Sequence, residues 1–141
     1  MSDAVLSRPA TIASWFFQIA AAGILLSTLP FKFGAAPESV ALFEAIGLEP
    51  VGRIGTGVVE LIAAFLLLWP RRAWLGALLS LGVMAGAIVT HVFLIGIVVH
   101  FDGASDGGAL FAEAVAVFVS SLAVLFLRRQ QLFALLDRVL K

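Results

Sequence analysis

The segment from Arg53 to His100 constrains the fold more than any other part of this sequence. It consists of two long apolar runs joined by a basic turn at 70–72. Each run is close to the roughly 20 residues that an α-helix needs to cross a bilayer. Each also carries an ionisable side chain well inside it, Glu60 in the first run and His91 in the second. Because such groups are costly in hydrocarbon, both are candidates for a functional site.

The composition is typical of a protein that faces lipid. Hydrophobic residues make up 62% of the 141 residues and charged residues 13%, whereas soluble domains are nearer half apolar and a quarter charged. The length suits one domain of about four membrane helices. The chain has no cysteine, which excludes disulfides and thiol redox centres, and its formal net charge of zero gives no case for nucleic acid binding.

We predict an all-α fold, a polytopic membrane four-helix bundle that forms a single domain over 1–141. The apolar run after Arg8 is too long for the core of a signal peptide, so we expect a retained first helix behind a polar leader at 1–10. Pro30 is expected to end that helix. The predicted spans are 11–29, 52–69, 73–99 and 110–127.

Two further segments are amphipathic. Pro37 suits a helix start and Gly47 a helix end, and the apolar and acidic residues between them predict a short interfacial helix at 37–47, between spans 1 and 2. The glycine- and aspartate-rich segment 101–109 predicts a loop. Leucines at helical spacing in the tail, 130–141, predict an amphipathic surface helix or an extension of the fourth span.

The basic residues predict how the spans are oriented. Lys32 and Arg53 stand at one end of the spans, and the other seven basic residues fall at the opposite end: Arg8, Arg71, Arg72, Arg128, Arg129, Arg138 and Lys141. Cytoplasmic loops carry the excess of lysine and arginine. Both termini are therefore expected in the cytoplasm of a multi-pass cell-membrane protein.

Helix geometry brings ionisable side chains to a similar depth on the outer side. Glu60 is expected about 10 Å inside Arg53, and His91 about 13 Å inside His100. The predicted ligand-binding cluster consists of Lys32, Arg53, Glu60, His91 and Glu113, with Thr90 as a further hydroxyl. Glu60 and His91 are also the candidates for catalysis, as groups able to exchange protons.

Structural roles account for the same residues. Glu60 and His91 would hydrogen-bond each other to fix helix packing, and Lys32 and Arg53 would extend to the membrane boundary. Gln18 is expected to make an interhelical hydrogen bond. Small residues at intervals of four are interpreted as close-packing ridges, which would serve a homodimer as well as one chain: Gly23 and Ser27 in span 1, and Gly82, Gly86 and Thr90 in span 3.

The sequence resembles the DoxX family of small four-helix membrane proteins. The resemblance covers about 12–127 and rests on Lys32 and Gly34 in KFG, Glu60 in VELIAA, and His91 in VTH. It implies a bacterial cytoplasmic membrane and an association with quinone-linked oxidoreductases or other redox systems, whereas distant relatives act as chaperones or cargo receptors. It implies no common catalytic activity.

Three functions follow from these features. The favoured one is a binding or accessory subunit of a membrane redox system, whose outer-side pocket would hold a quinone or lipid-like molecule and whose partners would be the bilayer and a redox protein. The second is a proton-transferring enzyme, an oxidoreductase or isomerase that uses Glu60 and His91. The third is a scaffold or chaperone with a structural polar cluster. The sequence carries no redox centre of its own, and no metal is predicted because HxxxH and ExxH spacings are absent.

Overall fold

The computed structural model describes residues 6–141, so the first five residues of the expected leader lie outside the described part. Within it the chain is mostly helical, which confirms the predicted class. The helices are α1 (Arg8–Phe33), α2 (Pro37–Ala45), α3 (Val51–Leu67), α4 (Ala73–Thr90), α5 (Ala109–Leu127) and α6 (Arg129–Val139). A π-helical turn, His91–Ile95, continues α4, and the strands β1 (His100–Phe101) and β2 (Ala104–Ser105) form an antiparallel hairpin.

The four longest helices surround one core. Each of α1, α3, α4 and α5 packs against two of the others, in the cyclic order α1, α3, α4, α5. The chain runs up one helix and down the next, so two ends can be defined. The α2 end holds α2, the hairpin and the end of α1 at Phe33, and the Arg128 end holds the start of α1, the α3–α4 turn and the junction of α5 with α6.

Small residues allow these helices to approach closely. The core is rich in alanine, and its members include Ala21, Ala63, Ala64, Ala77 and Ala114. Gly76 of α4 lies against α3, where a Cβ atom would stand 2.5 Å from the backbone nitrogen of Leu67. This close approach of α3 and α4 therefore depends on a glycine outside the predicted ridges.

Large apolar side chains cover the outside of the same helices. Exposed examples are Phe16 on α1, Phe65 on α3, Phe93 after α4 and Phe126 on α5. Three helices in the described part of the chain are long and apolar enough to cross a membrane: α1, α4 with its π-helical turn, and α5. At 17 residues, α3 is not among them.

Two helix ends differ from the sequence prediction. The helix α1 continues through Pro30 to Phe33. A proline removes only one backbone donor, and the following turn stays bonded because the Gly34 N–H donates to the Pro30 carbonyl at 2.9 Å. The third predicted span, 73–99, is too long. Its helix and turn end at Ile95, because Gly96 has φ +86° and its N–H bonds back to the His91 carbonyl.

The remaining elements lie near their predicted positions. The segment expected at 37–47 forms α2, Pro37–Ala45. The tail forms a separate helix, α6, because Arg128 leaves the helical conformation between α5 and α6. The loop expected at 101–109 contains the hairpin turn and β2.

Candidate functional site

A cavity of about 340 Å³ lies among the helices at the α2 end. Its walls are mostly aliphatic and come from α1 to α5. The polar side chains that line it include Thr28, Lys32, Glu60, His91 and Glu113. The structure thus brings together four of the five residues of the predicted cluster, and it adds Thr28, whose position one turn before Lys32 was a usable sequence signal.

An ion pair joins α1 to α3 in the cavity wall. Lys32 Nζ lies 2.6 Å from Glu60 Oε2, and Thr28 Oγ1 lies 3.2 Å from the same carboxylate oxygen. Glu60 is buried, at 2% exposure. Gly57, one turn before Glu60, allows this approach because a Cβ there would stand 2.9 Å from the ring of Phe33. The charge of Glu60 is therefore compensated within the protein.

His91 occupies the start of the π-helical turn and is 1% exposed. Its Nδ1 atom lies 2.9 Å from the carbonyl oxygen of Gly96, and its ring meets that of Phe111 edge to face at 5.6 Å between centroids. One prediction from the sequence was a hydrogen bond between His91 and Glu60. Both line the cavity, but among the described residues no hydrogen bond joins them, because Lys32 and Thr28 bind the carboxylate instead.

Glu113 connects this cavity to a second one. The second cavity, of about 470 Å³, lies nearer the hairpin and shares Thr28, Lys32 and Glu113 with the first. Lys32, Glu60 and Asp106 are close enough to act on Glu113 electrostatically. Glu113 makes no hydrogen bond to another described side chain, so its carboxylate is available to an occupant of either cavity.

Arg53 takes a different place from the one expected. It is buried, but it does not line the cavity. Its guanidinium binds the carboxylate of Glu49, with Nη2 2.7 Å from Oε1, and it donates to the carbonyl of Lys32. Arg53 thereby fastens the start of α3 to the backbone of Lys32 at the end of α1.

The predicted ridges do not mediate the observed helix contacts. A Cβ atom at Gly23, Gly82 or Gly86 would meet nothing within 4 Å. Instead, Gly82 and Gly86 line the cavity, as does Thr90, whose hydroxyl donates to the Gly86 carbonyl at 2.8 Å. Because Gly82 and Gly86 have no side chain, α4 provides space for the cavity there rather than contact with a neighbouring helix.

A second polar cluster, at the Arg128 end, was missed by sequence reasoning. Arg128 is 4% exposed and donates to Ser14 Oγ at 2.8 Å, to Gln18 Oε1 at 3.0 Å and to the Pro70 carbonyl at 2.8 Å. Gln18 also donates to the Leu67 carbonyl, which confirms its expected interhelical bond. Burial lowers the pKa of Arg128, yet an arginine remains charged. Its ligands in the described structure are neutral, and Arg129 beside it is exposed.

Asp106 organises the loop between the hairpin and α5. Its carboxylate accepts backbone N–H bonds from Val99, Gly108 and Leu110 at 2.8 to 3.1 Å. Partial burial raises the pKa of Asp106, but the three N–H bonds to its carboxylate lower it by more, so the net pKa lies below its ordinary value. As an anion Asp106 therefore lines the second cavity and holds the start of α5 at Leu110, a residue that lines both cavities.

Comparisons with protein-family models, curated proteins and solved structures found no match to this chain. Among the described residues, no group of three or more histidine, aspartate and glutamate side chains could hold a metal ion. Fold and site together define a helical protein with three helices able to cross a membrane and an apolar cavity that ends in buried polar groups.

Proposed function

We propose that this chain is a four-span membrane protein that binds a lipophilic molecule in the cavity at its α2 end. The observation that carries the proposal is the cavity itself, where apolar walls meet the Lys32–Glu60 pair and the buried His91. Ligand sites combine apolar walls with a few placed polar groups in this way, and about 340 Å³ is near the lower limit of their usual volume.

The proposal includes α3 as the fourth span. Although α3 is short, it carries a stripe of exposed apolar side chains, Val58, Leu61, Ile62 and Phe65, and Leu68 directly after the helix extends the stripe. Its two ionisable residues, Arg53 and Glu60, are both buried and paired. A bilayer can thin to match a short helix at modest cost, so its 17 residues are compatible with spanning.

The orientation with both termini in the cytoplasm is part of the proposal. Exposed arginines gather at the Arg128 end, among them Arg8, Arg71, Arg72, Arg129 and Arg138. At the α2 end Lys32 and Arg53 are tied to Glu60 and Glu49 and add no free positive charge. This contrast supports a cytoplasmic Arg128 end, an orientation in which the cavity would lie in the outer half of the membrane.

The resemblance to the DoxX family supplies the wider setting of the proposal. It favours a bacterial cytoplasmic membrane, a role as binding or accessory subunit of a redox system, and a quinone or lipid-like ligand. Binding is favoured over acid–base catalysis by Glu60 and His91, since Glu60 is engaged by Lys32 and Thr28 rather than by the histidine.

Native mass spectrometry with lipid extraction tests the proposal. Leucine at Gly86 would fill the cavity from a wall position with open space, whereas Gly23, also free of neighbours, does not line it. We expect a lipophilic molecule to accompany the gently purified wild type and Gly23→Leu, and to be lost from Gly86→Leu. An empty wild type, or equal occupancy in all three, would favour a scaffold with a structural polar cluster.

A further inference from the structure

The two ring nitrogens of His91 differ in their hydrogen bonding. Nδ1 faces the carbonyl oxygen of Gly96 at 2.9 Å. A carbonyl only accepts hydrogen bonds, so Nδ1 must carry the proton. In the neutral ring Nε2 is then unprotonated and is a hydrogen-bond acceptor.

This acceptor has no partner among the described residues. His91 is 1% exposed and lines the cavity, and no hydrogen bond to Nε2 is formed within 6–141. Nε2 is not one of the described side-chain atoms that are both fully buried and without a partner, so it remains accessible from the cavity. An occupant that donates a hydrogen bond can therefore reach it.

The backbone around His91 holds this arrangement in place. Gly96 has φ +86°, which glycine adopts without strain, and its N–H donates to the His91 carbonyl at 2.8 Å. The same glycine thus binds the backbone of His91 through its N–H and the side chain through its carbonyl. Phe111 packs edge to face against the ring, so ring rotation is restricted and the tautomer is fixed by geometry.

The other polar groups of the cavity suit the same type of occupant. The Glu113 carboxylate, when ionised, is a second acceptor, and Lys32 offers the one N–H that Glu60 and Thr28 do not use. A hydroxyl can donate to His91 and accept from a lysine at once. A carbonyl or ether oxygen can only accept, which leaves His91 unsatisfied.

We infer that the cavity selects an apolar molecule with a hydroxyl head, an alcohol or a phenol, whose O–H donates to His91 Nε2. This inference rests on the proposed function and specifies its ligand class. It predicts that the protein binds an alcohol or phenol more tightly than the matching ether, because the apolar parts of the two molecules contact the same cavity walls and only the hydroxyl can donate to His91.

A matched pair of probes, para-hexylphenol and its methyl ether para-hexylanisole, tests the inference on the full chain in phosphatidylcholine nanodiscs. Calorimetric titration would be corrected for partition into empty nanodiscs. We expect the wild type to bind the phenol at least about tenfold more tightly than the ether, a ratio that corresponds to about 1.4 kcal/mol. In His91→Phe this ratio should fall to near one, whereas His100→Phe, a change at the exposed histidine of the hairpin, should retain it.

The outcomes separate the inference from the proposed function. Equal binding of both probes to the wild type, or an unchanged ratio in His91→Phe, would overturn the hydroxyl inference while the binding cavity stands. Binding of neither probe would overturn both.

A second measurement does not depend on the folding of a variant. The chain has two histidines, so ¹⁵N-histidine labelling resolves His91 with His100 as an internal reference. We expect an unprotonated Nε2 in His91 whose resonance moves on addition of the phenol and not of the ether. A protonated Nε2 in the empty protein would contradict the inference.

Discussion

The Nζ atom of Lys32 and the Oε2 atom of Glu60 lie 2.6 Å apart, and their side chains are only 16% and 3% exposed. Lys32 is near the end of α1 and Glu60 is in the middle of α3, so the pair ties these helices together inside the cavity wall. Thr28 binds the same carboxylate oxygen. Removing one partner would leave the other charge buried without compensation, at a cost of several kcal/mol.

We predict that Lys32→Met lowers the free energy of unfolding by about 3 kcal/mol. The double variant Lys32→Met/Glu60→Gln should be more stable than Lys32→Met alone, because the second change removes the uncompensated charge. Thermal or denaturant unfolding in detergent measures both. Strictly additive losses would mean that the two side chains do not act as a pair.

Alanine at Gly76 is expected to destabilise the fold. Its Cβ would stand 2.5 Å from the backbone nitrogen of Leu67 and 2.8 Å from the carbonyl oxygen of Ala63, and backbone atoms cannot move aside cheaply. Gly23→Ala is the control. It has open space and should stabilise the helix by up to about 1 kcal/mol. Equal melting temperatures for the two variants would contradict the close contact of α3 and α4.

The adjacent arginines at the α5–α6 junction should differ sharply. Arg128→Met leaves Ser14, Gln18 and the Pro70 carbonyl without their buried donor, and we expect a loss of about 3 kcal/mol in the free energy of unfolding. Arg129 is exposed and lies 4.4 Å from the centroid of the Phe126 ring, so Arg129→Met should cost less than about 1 kcal/mol. Similar effects of the two changes on chemical unfolding would show that burial of Arg128 is not important.

Asp106 should make stability dependent on pH in the acid range. Because the pKa of Asp106 is lowered in the folded protein, its contribution is complete above the unfolded value of about 3.9 and is lost as the pH falls through the lower folded value. The difference in melting temperature between wild type and Asp106→Asn should therefore shrink below about pH 4.

The control for this measurement is Asp102→Asn. Asp102 is exposed in the same hairpin and makes no side-chain hydrogen bond within the described structure, so this change should alter the melting temperature little at pH 7. If the difference between wild type and Asp106→Asn were the same at pH 3 and pH 7, the three N–H bonds would not favour the charged carboxylate.

The proposed orientation can be tested by labelling, because the chain has no cysteine of its own. In intact cells, a membrane-impermeant maleimide should label a cysteine at Ser105, in the hairpin at the α2 end. It should not label one at Gln130, in α6, until the cells are opened. Both positions are exposed. The reverse pattern would invert the orientation, and labelling of both would contradict four spans.

The sequence by itself determined the helical class, the approximate positions of the helices and the importance of polar residues inside apolar runs. These follow from local chemistry, since the length and apolarity of a run decide where a helix forms. Glu60 and His91 stood out for the same reason. The four-span topology and the binding function remain predictions.

Only the tertiary structure decided which side chains meet. Glu60 is paired with Lys32 rather than His91, because partner choice between helices depends on the distances between them and not on spacing within one. For the same reason, the close contact at Gly76 and the burial of Arg128 could not be predicted from the sequence. The sequence could show that these helices carry polar groups, but the angles and separations at which they pack determine which groups share a cavity.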